Sequence, residues 1–361
     1  MWSIIKEEWR GVWYDEGVTL IAVFALFIYG ISYSLGYGGE VLNEVPVAVV
    51  GGEDSAKSRE LVRMFDASPK LRIAHEATDM AEAEQMLRER RVLGVVALSP
   101  DLEKDITSNR QTKVAILGDA SYFLAYREVV EGAVATIQQM NEQISVEREG
   151  AYNPPIIYEQ RNIFNPSLGY GVFVMPAIIL LIVQQTALIG VGMVSATRRE
   201  QGLRYELNSP FIVTIGRTVV YLAIYALTLG FMLTVHYALF DYPMRGAWWR
   251  CLAVLVPYLL AVIFLAQSLG TLFRRRESSI VWLLWLSIPF LLVSGVSLPP
   301  QAFPQWLYII GRVVPSSSAV DAWIAVQSRG ASLADVAPEL LVLWCLVLLY
   351  GAGAVLANKK S

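Results

Sequence analysis

LGYGVFVMPAIILLIVQQTALIGVGMVSA (Leu168 to Ala196) holds no Asp, Glu, Lys or Arg, and RREQGLRYELNSP (Arg198 to Pro210) follows directly after Thr197. A helix crosses the hydrocarbon layer with about 20 apolar residues at 1.5 Å rise each, so the first stretch is long enough to span a bilayer. Five more uncharged runs share this property: Val18 to Gly36, Thr218 to Phe240, Cys251 to Phe273, Ser278 to Pro299 and Leu340 to Asn358. The pattern is that of a polytopic α-helical membrane protein with six transmembrane helices.

Orientation follows from the basic residues beside short loops, because Lys and Arg are held back on the cytoplasmic side during insertion. Arg198, Arg199 and Arg204 follow the second run, Arg274 to Arg276 follow the fourth, and Lys359 and Lys360 follow the sixth. These clusters share one side if both termini are cytoplasmic. The hairpin from Asp241 to Arg245, the segment from Pro300 to Glu339 and the long segment 37–167 then face outward. The first run (18–36) is read as a permanent anchor. Lys6 and Arg10 before it are outnumbered by Glu7, Glu8, Asp15 and Glu16, and the apolar stretch exceeds a typical signal core.

Hydrophobic residues make up 55% and charged residues 17%, against about 45–50% and 25% in soluble domains. A net charge of −3 argues against a nucleic-acid partner. Both cysteines, Cys251 and Cys345, fall inside expected spans, so no disulfide framework holds the outer segment, and they read as small apolar core residues. With only His75 and His236, one chain cannot assemble a histidine metal site.

Segment 37–167 has a different grammar, that of an extracytoplasmic α/β domain. PVAVVGG (Pro46 to Gly52), VLGVVALS (Val92 to Ser99) and KVAILGD (Lys113 to Asp119) read as buried strands closed by turn formers. Helices fit between them. Ser55 caps the stretch to Ala67, Thr78 or Asp79 caps the stretch to Arg91 with Glu82 placed for a capping box, and Ser99-Pro100 opens a short one. From Ser121 to about Arg148 runs one long helix.

GGEDSAKS, after the first strand, resembles the phosphate-binding pattern G-x-x-x-x-G-K-[ST] at Lys57 and Ser58. It lacks what that chemistry needs. Ala56 replaces the glycine that lets backbone amides turn onto phosphate, Glu53 and Asp54 would repel the anion, and the loop faces away from cytoplasmic ATP. No serine is bracketed as G-x-S-x-G, and no catalytic residue is assigned. The pairs Glu7-Glu8 and Glu53-Asp54 read as solvated faces.

Before the first run, Trp2, Ile5, Trp9, Val12 and Trp13 recur at helical spacing within 1–17, with Glu7, Glu8, Arg10 and Asp15 elsewhere on the wheel. Tryptophan favours headgroup depth, so this is an amphipathic helix lying in the membrane interface.

Taken together, the chain resembles, over essentially its whole length, the permease subunits of type 2 ABC exporters, the ABC-2 family. The resemblance rests on the interfacial helix, the large outer domain after the first span, and E-Q-G at Glu200, Gln201 and Gly202 with Leu207 and Pro210. It rests also on S-G-x-x-L-P followed by P-x-W-L: Ser294, Gly295, Leu298, Pro299, Pro304, Trp306 and Leu307. VAVVGGEDSAKSRELVRMFDASPKL is likewise similar to the opening of the family's outer domain.

The family implies a coupling helix at 198–210, with Arg198, Arg199, Glu200, Gln201, Gly202 and Leu207 meeting a separate cytoplasmic ATPase that carries ATP and magnesium. It implies re-entrant outer helices at 299–318, a second permease copy or paralogue, and a place in the bacterial cytoplasmic membrane. A periplasmic adaptor is a further expected partner. The family tends to have Thr-Leu-Glu where this chain has Leu203, Arg204 and Tyr205, which leaves specific ion pairs to the ATPase unassigned.

Gln184, Gln185, Gln267, Ser268 and Ser287 are polar side chains inside spans, where lipid exposure is costly. They line a translocation path between two subunits or bond helix to helix. An apolar lining suits a lipophilic or amphipathic cargo leaving the cell. Two other functions remain open: a receptor sensing through the outer domain, and an ABC-2-like accessory protein of phage infection or secretion without an ATPase.

Overall fold

The computed structural model describes residues 1–37, 43–51, 55–89, 91–108, 110–118, 123–147, 170–203, 209–294 and 304–359. The chain divides into two units, Met1–Gly38 with Gly171–Ser361, and Gly39–Tyr170.

The first unit opens with α1 (Trp2–Trp13), which buries Ile4, Glu8 and Val12, spaced one turn apart, and leaves Trp2, Trp9 and Trp13 exposed. Asp15 then accepts the N–H of Val18 at 3.1 Å, satisfying one of the orphan donors of a new helix, α2 (Glu16–Gly36).

The second unit runs β1 (Val45–Val50), α3 (Ala56–Asp66), β2 (Leu71–Ala77), α4 (Met80–Arg88), β3 (Gly94–Leu98), α5 (Leu102–Thr107), β4 (Val114–Gly118) and α6 (Phe123–Glu147). Its sheet has the order β2-β1-β3-β4. β1 is parallel to both neighbours, as the crossover helices α3 and α4 require, and β4 returns antiparallel to β3. Alternation along β1 sends Val47 and Val49 to the face covered by α3 and α6, and Ala48 to the face covered by α4. The Asp79–Glu82 capping box is formed: Asp79 accepts the Glu82 N–H at 2.8 Å while Glu82 accepts that of Thr78 at 2.8 Å. Ser55 caps α3 through the Ser58 N–H at 3.1 Å, and the Lys57 ammonium pairs with Glu60 at 2.9 Å.

β2 lies on LRIAHEA, a stretch that the apolar pattern does not mark. It is an edge strand with Arg72 and Glu76 exposed, so only half its side chains needed to be apolar. Just before it, Lys70 meets the buried carboxylate of Glu128 at 2.8 Å and Glu131 at 2.6 Å. Partial burial disfavours the Lys70 charge, and the two glutamates outweigh it, holding the ammonium above its ordinary pKa.

The first unit resumes with α7 (Tyr170–Glu200), α8 (Pro210–Leu239), α9 (Trp248–Gly270), α10 (Arg276–Val293), α11 (Gln305–Gly311), α12 (Pro315–Arg329) and α13 (Ala337–Lys359). Among the described residues, six helices (α2, α7, α8, α9, α10 and α13) are long and apolar enough to cross a membrane. The protein is therefore a multi-pass membrane protein. α7 is the central helix, buried along most of its length, whereas α10 and α13 leave Trp282, Trp285, Leu341 and Leu348 uncovered, as lipid-facing helices do. Cys251 is buried; Cys345 is exposed on α13 and so is not the core residue expected from its span. α10 breaks at Leu286, because Pro289 has no N–H to return to the Trp285 carbonyl.

Candidate functional site

Polar chemistry gathers where α1, the last turn of α7, the start of α10 and the end of α13 meet. Arg198 reaches Glu7 at 3.2 Å and Arg199 donates to the Thr271 carbonyl. Glu200 accepts the backbone N–H of Arg276 at 3.1 Å, and the Arg276 guanidinium lies 2.6 Å from Asp15. These contacts form a collar of alternating charge. Beside it opens a cleft of about 950 Å³ lined by Glu7, Arg10, Tyr14, Asp15, Arg198 and Gln201 among others.

The Glu-Gln-Gly segment is a helix stop. Leu203 N–H returns to the Arg198 carbonyl at 2.9 Å and Gly202 N–H to Arg199 at 3.2 Å. Gly202 has φ +66°, the left-handed conformation of a Schellman motif. Arg198, Arg199 and Glu200 thus belong to α7 itself rather than to a separate coupling helix, and Pro210 is the first residue of α8. Leu207 lies outside the described residues.

Behind the collar the expectation of a solvated Glu7-Glu8 pair fails for Glu8, which is 0% exposed. Its Oε1 accepts from Arg217 Nε and from the Tyr221 hydroxyl, both at 2.8 Å. Arg217, 3% exposed, donates further to Ser195 Oγ at 2.7 Å and Asn358 Oδ1 at 3.3 Å. Asn358 in turn donates to Thr214 Oγ1 at 2.9 Å and to Gln267 Oε1 at 3.3 Å, and Gln267 donates to Thr218 Oγ1 at 2.9 Å. Five helices share this network. Sequence reading missed it because Arg217 stands one residue before the uncharged run that begins at Thr218. The signal available was the Ile4, Glu8, Val12 spacing, which puts a carboxylate on the apolar stripe of α1.

A second feature lies between α2, α7 and α10: a groove of about 590 Å³ with no charged residue among the described residues that line it. Its polar members include Tyr29, Tyr33, Gln184, Gln185, Thr186 and Ser287. Gln185 Nε2 donates to the Leu283 carbonyl at 2.6 Å, just before the break in α10, and Gln184 Oε1 accepts the Ser316 N–H at 2.9 Å. The Ser287 hydroxyl is buried with no partner among the described residues. Gln267 and Ser268 do not line this groove. Gln267 is in the network above, and Ser268 donates to the carbonyls of Phe264 at 2.8 Å and Tyr350 at 3.2 Å. The small residues Gly190 and Gly192 serve packing inside the chain, against Ala22 of α2 and Leu283 of α10.

Of the interfacial residues, Trp2, Trp9 and Trp13 form the exposed face of α1 and Ile5 is partly buried. Of the expected re-entrant residues, Gly295 and Pro299 lie outside the described residues, Pro304 precedes α11, and Trp306 is exposed. α11 and α12 meet at 91°. Arg312 holds the elbow, its guanidinium reaching the Tyr308 hydroxyl at 3.1 Å, Ser318 at 3.3 Å and Glu339 at 3.3 Å.

Comparison with known proteins finds relatives along nearly the whole chain. The profile described as "ABC-2 family transporter protein" matches residues 18–356. The probable multidrug ABC transporter permease YbhR of Escherichia coli (strain K12) is 20% identical over 365 residues, covering 100% of this chain and 98% of that protein. The inner membrane transport permease YhhJ of the same organism is 22% identical over 368 residues, covering 98% of this chain and 96% of that protein.

Proposed function

The chain belongs to the ABC-2 transporter family, and from that premise we propose that it is the permease of an ATP-driven exporter of lipophilic or amphipathic compounds. Export runs outward across the bacterial cytoplasmic membrane, with ATP and magnesium handled by a separate ATPase subunit. The uncharged groove between α2, α7 and α10 is the observation that supports this cargo class. A solute stripped of water finds there apolar walls with a few hydrogen-bonding groups, whereas an ion would meet no compensating charge. Gln184 and Gln185 lie on the path, and Gln267 and Ser268 hold its supporting helices.

A groove open along one side does not enclose a route, so the working unit is two permeases, a second copy or a paralogue, with two ATPases. The charged collar at Arg198 to Gly202 is the docking surface for the ATPase, on the cytoplasmic side with both termini. Segment 37–167 then lies outside, where a periplasmic adaptor is the partner it would meet, and α11 with α12 forms a re-entrant outer element. The names of the relatives, a multidrug permease and an inner membrane permease, support the same reading.

Purification from detergent to find the ATPase that accompanies the chain, then co-expression of the two and dye uptake into inverted membrane vesicles, tests the proposal. ATP-driven accumulation of a lipophilic fluorescent dye, lost when the ATPase's phosphate-loop lysine is replaced, is the expected result. A permease that co-purifies with no ATPase and moves no dye would instead favour an accessory role.

A further inference from the structure

Glu8 and Arg217 bury opposite charges at a point where neither touches the groove or the cleft. A buried ion pair adds little net stability over apolar residues of the same size, so stability alone does not account for it. What a single polar contact in an apolar seam does supply is register.

α1 has need of that. Apart from Glu8 it buries Ile4 and Val12, and contacts between aliphatic side chains in an apolar layer are nearly matched by contacts with lipid. Such a helix could settle one turn, about 5.4 Å, along its neighbour at little cost. Glu7 would then leave Arg198, and Asp15 would leave Arg276. The guanidinium of Arg217 forbids the slip, because it is itself fixed by Ser195 of α7 and Asn358 of α13.

We propose that Glu8 and Arg217 are positioning residues: their contact fixes the register of α1 on α8 and so builds the charged collar on which the ATPase acts. This rests on the permease reading, and its test separates the two. A Cβ built at Gly216 lies 3.2 Å from Ile4 Cβ, so Ile4→Cys with Gly216→Cys, in a Cys345→Ser background, reports register as disulfide yield. The informative variant is Glu8→Met with Arg217→Leu, which removes both charges together and leaves none unpaired.

The full chain with its ATPase is measured in membrane vesicles for disulfide yield and for dye transported per ATP hydrolysed. We expect the double variant to accumulate in the membrane while its disulfide yield falls and its transport per ATP drops about tenfold. Unchanged yield and unchanged transport per ATP would overturn the proposal. If the double variant does not accumulate, Glu8→Gln with Arg217→Met removes the same ion pair while leaving an amide oxygen for the Tyr221 hydroxyl. Unchanged yield and ratio there overturn it equally. Absence of ATP-driven transport by the unaltered protein would count against the export function alone, since the disulfide still reads the register.

Discussion

The guanidinium of Arg276 lies 2.6 Å from the carboxylate of Asp15, tying the first residue of α10 to the turn that separates α1 from α2. The same Asp15 oxygen caps α2. Asp15→Asn keeps a capping oxygen and loses only a partly exposed ion pair, so the expected cost is below about 1 kcal/mol. Asp15→Ala loses the cap as well and should cost about 1–2 kcal/mol. Thermal unfolding in detergent compares them; equal losses would show that the cap contributes nothing.

Gly202 is held in the left-handed region, where a side chain is disfavoured. Gly202→Ala should cost about 1 kcal/mol locally and redirect the chain where it leaves α7. Replacing Glu200, Gln201 and Gly202 together by alanine should leave membrane insertion normal and abolish ATP-dependent transport. Transport at the unaltered rate would reduce the segment to a plain connector.

Lys57 pairs with Glu60 on the surface of α3. Lys57→Ala should therefore shift stability by no more than about 0.5 kcal/mol and leave transport unaltered. Titration with a fluorescent nucleotide should show the same absence of saturable binding before and after the change; binding lost in the variant would identify a nucleotide site.

Lys104 and Leu203 are both exposed. In a Cys345→Ser background, a membrane-impermeant maleimide applied to intact cells should label Lys104→Cys and spare Leu203→Cys until the membrane is opened. The reverse pattern would invert the orientation drawn from the arginines.

The spans were legible because exclusion of charge from 20-residue stretches is enforced by the bilayer at every position. The caps at Ser55 and Asp79 were legible because a capping oxygen acts on amides two or three residues away. β2 was not, since an edge strand needs only alternate apolar residues and Arg72 and Glu76 mask them. Nor was the role of Glu8. One carboxylate among Glu7, Glu8, Asp15 and Glu16 is indistinguishable until its partner, 209 residues later, is placed beside it. The polar spans showed the same limit: Gln185 and Gln267 look alike in sequence, yet one lines the groove and the other binds α8 and α13.

Sequence separation in the collar also dictates an order of assembly. α1 and the turn after it leave the ribosome before their partners, which come 191, 209 and 261 residues later, at Arg198, Arg217 and Arg276. Until they arrive, Glu8 has no buried cation to meet and has to stay in water. The exposed Trp2, Trp9 and Trp13 suit that interval, since tryptophan favours headgroup depth. A chain truncated before α8 would keep its anchor and leave this helix undocked.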